Sequence, residues 1–367
     1  MIPYGHQSVD KKDIAAVTKI LKSDWLTQGP TVLEFEKALA DYCGAKYAVA
    51  TNNGTSALHL AYLGAGLKSG DEVITSPNTF VATTNMLLAL GVKPVFCDIR
   101  LDTYNLDEKK LEKLITKKTR AIVPVHFAGQ PCDMSEIQRI AGKHKLLVIE
   151  DACHALGAEY KNKKIGGCDY SDMAIFSFHP VKSITTGEGG ATLTNNKKYY
   201  DKLILLRNHG ISKNKQGKNV MTELGFNYRL TDIQAALGVN QLKKINNFVA
   251  KRREIVGWYK KALGEVKGII LPQEAENCRG SWHLYVIRTE KSALRDKLSA
   301  KLKQRGIGVN FHYPAVYSHP FYRQAGFKNF NLENENAYSR SCISLPIYPG
   351  LSKPNHDFVV KEIIKAL

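Results

Sequence analysis

Leu146-Leu147-Val148-Ile149-Glu150-Asp151-Ala152-Cys153-His154 is an apolar run that stops abruptly at two carboxylates, with a histidine three residues beyond Asp151. A run this short and this apolar reads as a strand buried on both faces, as in a parallel sheet. The polar residues at its carboxyl end fall where open α/β sheets bind ligands. Similar runs recur outward in both directions, at residues 47–51, 72–75, 94–99, 121–126, 173–177 and 191–194. Between them lie segments of helical period and crossover length, at 56–65, 81–90, 108–116 and 134–143. The alternation predicts a doubly wound α/β domain with a mainly parallel central sheet. Beyond Thr231 one long helical stretch, broken near Gly238, runs to about Leu263. It leads into a smaller α+β region with strands at 282–289 and 309–313, a helix at 293–305 and a final helix at 355–367. The expected division is a large domain over residues 1–245 and a small C-terminal domain over 246–367, linked by that long helix.

Composition bounds the function class only loosely. The 367 residues are 44% hydrophobic, enough to fill two cores. No stretch approaches the roughly 20 apolar residues that span a bilayer, and the N-terminus carries no basic region followed by an apolar one, so a cytoplasmic protein is the default expectation. The seven cysteines, at 43, 97, 132, 153, 168, 278 and 342, are odd in number and widely spaced. They encode neither a disulfide framework nor a close-paired metal site. The balance of 52 basic against 34 acidic residues, +18, favours anionic partners without choosing among phosphate-bearing metabolites, nucleic acid or a membrane. The basic clusters are short, at 161–164 and 251–253, and read as solvated surface.

Three segments carry chemistry. Asn52-Asn53-Gly54-Thr55-Ser56-Ala57 follows a strand and opens a helix, so backbone N–H groups and two hydroxyls converge on a positive helix end able to hold a phosphate. Thr55 or Ser56 serving only as an N-cap is the simpler alternative. Asp151 ends its strand at the ligand-binding edge, where a carboxylate beside a pyridine nitrogen keeps that nitrogen protonated; a cap or a salt bridge is the competing role. His154 is either a ring contact for the same ligand or an ordinary packed histidine. The most specific segment is Phe176-Ser177-Phe178-His179-Pro180-Val181-Lys182-Ser183-Ile184-Thr185-Thr186-Gly187-Glu188-Gly189-Gly190. Here a buried strand leaves the sheet at Ser177 and turns at Pro180 to present one lysine. A partly desolvated lysine has a lowered pKa and can attack an aldehyde.

Taken in order, these segments and Gly225-Phe226-Asn227-Tyr228-Arg229-Leu230-Thr231-Asp232 resemble the DegT/DnrJ/StrS nucleotide-sugar aminotransferases across essentially the whole chain. The resemblance implies a type I aminotransferase fold and pyridoxal 5'-phosphate (PLP) as cofactor. It implies Lys182 as the Schiff-base lysine and catalytic amine, with Asp151 paired to the pyridinium and His154 close to the ring. Thr55, Ser56 and Ser177 take the places of phosphate ligands. Asn227 takes that of a ligand donated by a second subunit, which implies a homodimer with shared sites. Phe80 holds the aromatic position over the cofactor face, with a core role as its alternative. Tyr4, Trp25, Leu26, Thr27, His312 and Tyr313, together with Lys182 and Asn227, match positions that line the sugar pocket. Arg229 either assists across the interface or makes a structural ion pair. The stretches Trp25-Leu26-Thr27-Gln28-Gly29, Phe127-Ala128-Gly129 and His312-Tyr313-Pro314 are most like the branch that makes pseudaminic acid. Its members pass the amino group of L-glutamate to C4 of a UDP-linked 4-keto-6-deoxy-N-acetylhexosamine. Other 3-keto or 4-keto nucleotide sugars are the alternative substrates. Sugar dehydratases of the same fold replace the lysine with histidine or add cluster-binding cysteines, and Lys182 and the scattered cysteines argue against both. A PLP-bound regulatory or nucleic-acid-binding protein would need an added binding element such as a helix-turn-helix. The enzyme fold leaves no length for one, so no nucleic-acid or membrane partner is expected, and no metal.

Overall fold

A computed structural model describes residues 1–328 and 330–367. Seven strands form the central sheet: β1 (Tyr47–Thr51), β2 (Glu72–Thr75), β3 (Lys93–Phe96), β4 (Thr119–Val123), β5 (Leu147–Asp151), β6 (Met173–Ser177) and β7 (Gly190–Thr194). Their order is β1-β7-β6-β5-β4-β2-β3. All pairings from β3 to β6 are parallel, and β7 runs antiparallel to both β6 and β1. The exception has a simple cause. A parallel return needs a crossover of a dozen or more residues, usually a helix, whereas the chain from β6 to β7 doubles back without one, pairing Ser177 with Gly190. Lys182 lies on this return, at the carboxyl edge of the parallel strands.

Helix Gly54–Gly64 covers one face of the sheet, packing Ala57, Leu58 and Ala61 against Val49, Val73, Ile149 and Ile175. Helix Pro30–Cys43 covers the other through Phe35 and Leu39, which meet Phe176, Phe178 and Val239. This helix and Lys11–Leu21, which opens on an Asp10/Asp13 capping box, lie outside the elements expected from periodicity. The long helical stretch divides into Asp232–Leu242 and Ile245–Leu263, with the break at residues 243–244 rather than at Gly238. Gly238 is kept instead by close packing: a Cβ there would come within 2.8 Å of the Phe35 ring.

The C-terminal region has its own core, built from helices Ile245–Leu263, Ser292–Gln304 and Lys353–Ala366 on a small antiparallel sheet of Ile269–Ile270, Tyr285–Thr289 and Cys342–Leu345. Ile2 joins that core and forms a parallel bridge with Ile307, so the first residues of the chain pack with the C-terminal unit rather than with the large domain. Residues 309–313 form no strand, only a bridge from Asn310 to Ser344. The backbone there is taken up by side chains: the Tyr313 N–H donates to Asn78 Oδ1, and the Tyr338 hydroxyl donates to the His312 carbonyl. The basic cluster at 251–253 is likewise not all surface. Helical period leaves Lys251 exposed but turns Arg252 fully inward. Among the described residues no helix is long and apolar enough to cross a membrane.

Candidate active site

The carboxyl ends of β1, β2, β5 and β6 open onto one cavity of about 870 Å³, whose opposite wall is residues 310–314 together with His283. Asp151 is the last residue of β5 and is buried. Its Oδ2 accepts from the Thr83 hydroxyl at 2.6 Å and its Oδ1 from the Cys153 N–H at 3.2 Å, so both oxygens are held in place. Thr83 Oγ1 is itself 2.8 Å from Thr79 Oγ1. The next turn sets His154: its Nδ1 accepts from the Ala128 N–H at 3.3 Å, which places the ring proton on Nε2, 3.3 Å from the Tyr313 hydroxyl. Burial, with smaller contributions from Lys182 and His312, pushes the His154 pKa well below the usual imidazole range.

Lys182 is half-buried in the facing wall, its N–H bonded to the His179 carbonyl at 2.9 Å. Burial lowers the pKa of its ammonium, against which Cys153 and Asp151 act in the opposite sense. At the third wall Asn53 caps the 11-residue helix Gly54–Gly64 by accepting from the Ser56 N–H at 2.8 Å. Two glycines let this helix end meet the β6 and β7 backbones. A Cβ on Gly54 would lie 2.9 Å from Ser177 Cβ, and one on Gly190 would lie 2.5 Å from the Asn53 carbonyl. The result is a cradle of backbone N–H groups and the hydroxyls of Thr55, Ser56 and Ser177 at a positive helix end, suited to a phosphate.

A phosphate cradle, a desolvated lysine and a fixed carboxylate therefore share one cavity, and this donor set fits PLP: an anion, an aldehyde and a pyridine nitrogen. The model of the DegT/DnrJ/EryC1/StrS aminotransferase family matches residues 7–364. The chain belongs to this family. A UDP-4-amino-4,6-dideoxy-N-acetyl-beta-L-altrosamine transaminase of Campylobacter jejuni is 42% identical, over 100% of this chain and 98% of that protein. Helicobacter pylori PseC, an aminotransferase of pseudoaminic acid biosynthesis, superposes with a TM-score of 0.95 at 36% identity, covering 100% of this chain and 98% of that one. NtdA of Bacillus subtilis, solved with the cofactor PMP bound, gives 0.89 at 31% identity, over 98% and 82% of the two chains. As a member of the DegT/DnrJ/EryC1/StrS family, the protein is a PLP-dependent aminotransferase of the nucleotide-sugar kind.

Of the residues singled out in the sequence, Tyr4, Thr55, Ser56, Phe80, Asp151, His154, Ser177, Lys182, His312 and Tyr313 all line the one cavity. Phe80 is not a core residue; it is 57% exposed at the cavity wall, its ring 6.2 Å from that of Tyr313. Trp25, Leu26, Thr27 and Asn227 are not brought into this cavity and lie exposed. They sit on two adjoining straps. Thr27 bridges Thr231, and Asn227 bridges Asn208 one turn of chain before Arg229 bridges Thr51. Arg229 donates to Asn208 Oδ1 at 2.6 Å, a local structural contact. Sequence reading passed over Thr83 and His283. Thr83 sits inside a helix-period segment, and His283 inside a strand-like apolar run, so neither carries a local signal.

Proposed function

We propose that the enzyme transfers the amino group of L-glutamate to the C4 keto group of a UDP-linked 4-keto-6-deoxy-N-acetylhexosamine, as a homodimer with shared active sites. The observation that carries the chemistry is the meeting of Lys182, Asp151 and the Gly54 helix end in one cavity. The sugar rests on the likeness to the Campylobacter jejuni and Helicobacter pylori enzymes. The dimer rests on Trp25, Leu26, Thr27 and Asn227, which stand exposed outside their own chain's cavity and would complete the partner's. Trp25 and Leu26, 54% and 48% exposed, are adjoining large apolar side chains available to a partner.

When bound, PLP supplies an electron sink for the carbon that loses its proton. The chain's own residues do the rest. Thr55, Ser56, Ser177 and the helix N–H groups anchor the phosphate, with Asn227 of the second protomer as a further ligand. Asp151, its oxygens fixed by Thr83 and Cys153, holds a proton on the pyridine nitrogen. Lys182 would bond the cofactor at rest and, once released, take up and return a proton at Nζ, a task that burial favours by lowering the pKa of its ammonium. His154 presents its Nε2–H to the cavity. Phe80 and Tyr313 cover the ring and restrict water. Tyr4, His312 and Tyr313 face the sugar, joined by Trp25, Leu26 and Thr27 from across the interface. One cavity serves both half-reactions, so the keto acid leaves before the keto sugar enters, giving ping-pong kinetics.

The test is a glutamate-dependent assay on UDP-linked and dTDP-linked 3-keto and 4-keto sugars, with product stereochemistry read by NMR. Turnover of the UDP-linked 4-keto sugar is expected; preference for another keto sugar moves the substrate, and failure with every one overturns the class. Lys182→Ala should remove the visible cofactor band at about 400–430 nm. A variant that kept the band and full activity would refute Lys182 as the anchor.

A further inference from the structure

His283 belongs to the C-terminal unit but lines the cavity, where its ring packs on that of His154 with centroids 4.5 Å apart. It is buried, and its Nδ1 is enclosed without a hydrogen-bond partner among the described residues. Leaving a buried ring nitrogen unpaired costs about 1–3 kcal/mol, so a histidine here calls for a reason beyond filling space. The surrounding contacts supply one. The Ser281 hydroxyl donates to the His154 carbonyl at 3.1 Å, and the Ser281 N–H donates to the Gly129 carbonyl at 3.0 Å. The Leu284 N–H donates to the carbonyl of Ala128, whose own N–H fixes His154 Nδ1. Arg252, buried in helix Ile245–Leu263, clamps the segment by donating from Nη1 to the carbonyls of Trp282, His283 and Ile347. One short segment thus grips the backbone of His154, the residue that orients its ring, and the ring itself.

We propose that His283 is a positioning residue for the transamination, holding the His154 ring in a dry contact so that it offers the cavity a single Nε2–H and carries no positive charge. The proposal rests on the assignment of His154 to the cofactor ring given above. The charged and titratable groups facing His154 are Lys182 from the β6–β7 return, His283, and His312 and Tyr313 from residues 310–314; Asp151 and Cys153 lie on its own turn. Those facing His283 are His154, Lys182, Arg252 and His312. Every one of the basic groups disfavours a cation on either imidazole. Burial depresses both His154 and His283 well below the ordinary range, and burial is what truncation at 283 would undo.

The test compares His283→Ala and His283→Phe with the wild-type holoenzyme, reading the visible spectrum of the bound cofactor and kcat/KM against pH between 5 and 9. Removing the ring lets water reach His154, whose pKa then returns toward about 6.5. In His283→Ala the acid limb of kcat/KM should move to higher pH, with a spectral transition in the same range that the wild type lacks. His283→Phe restores a dry ring without a titratable group and should restore both profiles. The proposal is overturned by a folded, PLP-loaded His283→Ala whose spectrum and profile match the wild type. It is also overturned if His283→Phe shifts them as far as His283→Ala does. A wild-type protein that fails to bind PLP through Lys182 would instead defeat the assignment on which the proposal rests.

Discussion

Replacing Thr83 with valine deletes one hydroxyl while keeping the side chain's shape, and it probes whether Asp151 is oriented for a cofactor. Thr83 is 1% exposed, and its Oγ1 donates to Asp151 Oδ2 at 2.6 Å. The carboxylate's other hydrogen bond, from the Cys153 N–H, is longer at 3.2 Å. A hydrogen bond to a charged group contributes about 1.5–3 kcal/mol, and a tenfold change in an equilibrium constant takes about 1.4 kcal/mol. PLP affinity in Thr83→Val should therefore fall by about one to two powers of ten. The assay titrates cofactor-free protein with PLP and follows the visible band. A second titration uses Asp151→Ala as background, where no carboxylate remains to be oriented. There the valine should cost less than about threefold, because its effect runs through the missing partner. A dissociation constant within twofold of wild type for Thr83→Val, or an equal loss in both backgrounds, refutes the reasoning.

Gly190→Ala forces a Cβ to within 2.5 Å of the Asn53 carbonyl, a backbone atom that cannot step aside. It should destabilise the protein by about 1–3 kcal/mol or more and loosen the phosphate cradle; an unchanged melting temperature would contradict this. His312 is buried and its pKa is pushed down to about 4 by desolvation and then by Lys182. Because the unfolded chain binds that proton from pH 6.5 downward while the folded one does not, stability is complete above pH 6.5 and is lost as pH falls toward 4, by at most about 3 kcal/mol. His312→Gln should flatten that acid limb in chemical denaturation, and an unaltered slope would exclude His312 as its source. Mixed dimers of Lys182→Ala and Asn227→Ala should regain about a quarter of wild-type activity, since half the dimers are mixed and each holds one intact site; no recovery on mixing would rule out a shared site.

Most of the sheet was legible because each strand is a short apolar run bounded by polar ends, and such runs need no long-range information. The direction of β7 was not written in its own residues. It follows from the helix-free return between Ser177 and Gly190, which forces the chain back antiparallel and so hangs Lys182 over the ligand edge. That the candidate cofactor residues would meet in one cavity was legible for a related reason. Thr55, Ser56, Asp151, His154, Ser177 and Lys182 sit on turns where β1, β5 and β6 end, so topology collects them whatever lies between. Tyr4, His312 and Tyr313 came from resemblance alone, since they reach the cavity through the packing of a second unit. Residues 309–313 misled for the same reason: they look like a strand by composition, but side chains of the large domain and of Tyr338 take their hydrogen bonds.

The C-terminal unit therefore supplies wall residues of the cavity and is not a lid of generic shape. Arg252 reads in the sequence as one of three surface cations, yet it is 1% exposed, and its Nη1 donates to three carbonyls rather than to a carboxylate. Desolvation lowers its pKa to about 10, which still leaves it charged at neutral pH. A buried cation with no acid to neutralise it is expensive unless its hydrogen bonds are well made. Arg252 meets that condition only at Nη1, its Nε being buried without a partner among the described residues, and the bonds it does make fix the segment whose His283 touches the ring of His154. The same positive charge also stands near His283 and adds to burial, the main cause of its lowered pKa. The contacts that set His283 against His154 thus share a source, a helix that starts at the end of one core and runs through the other.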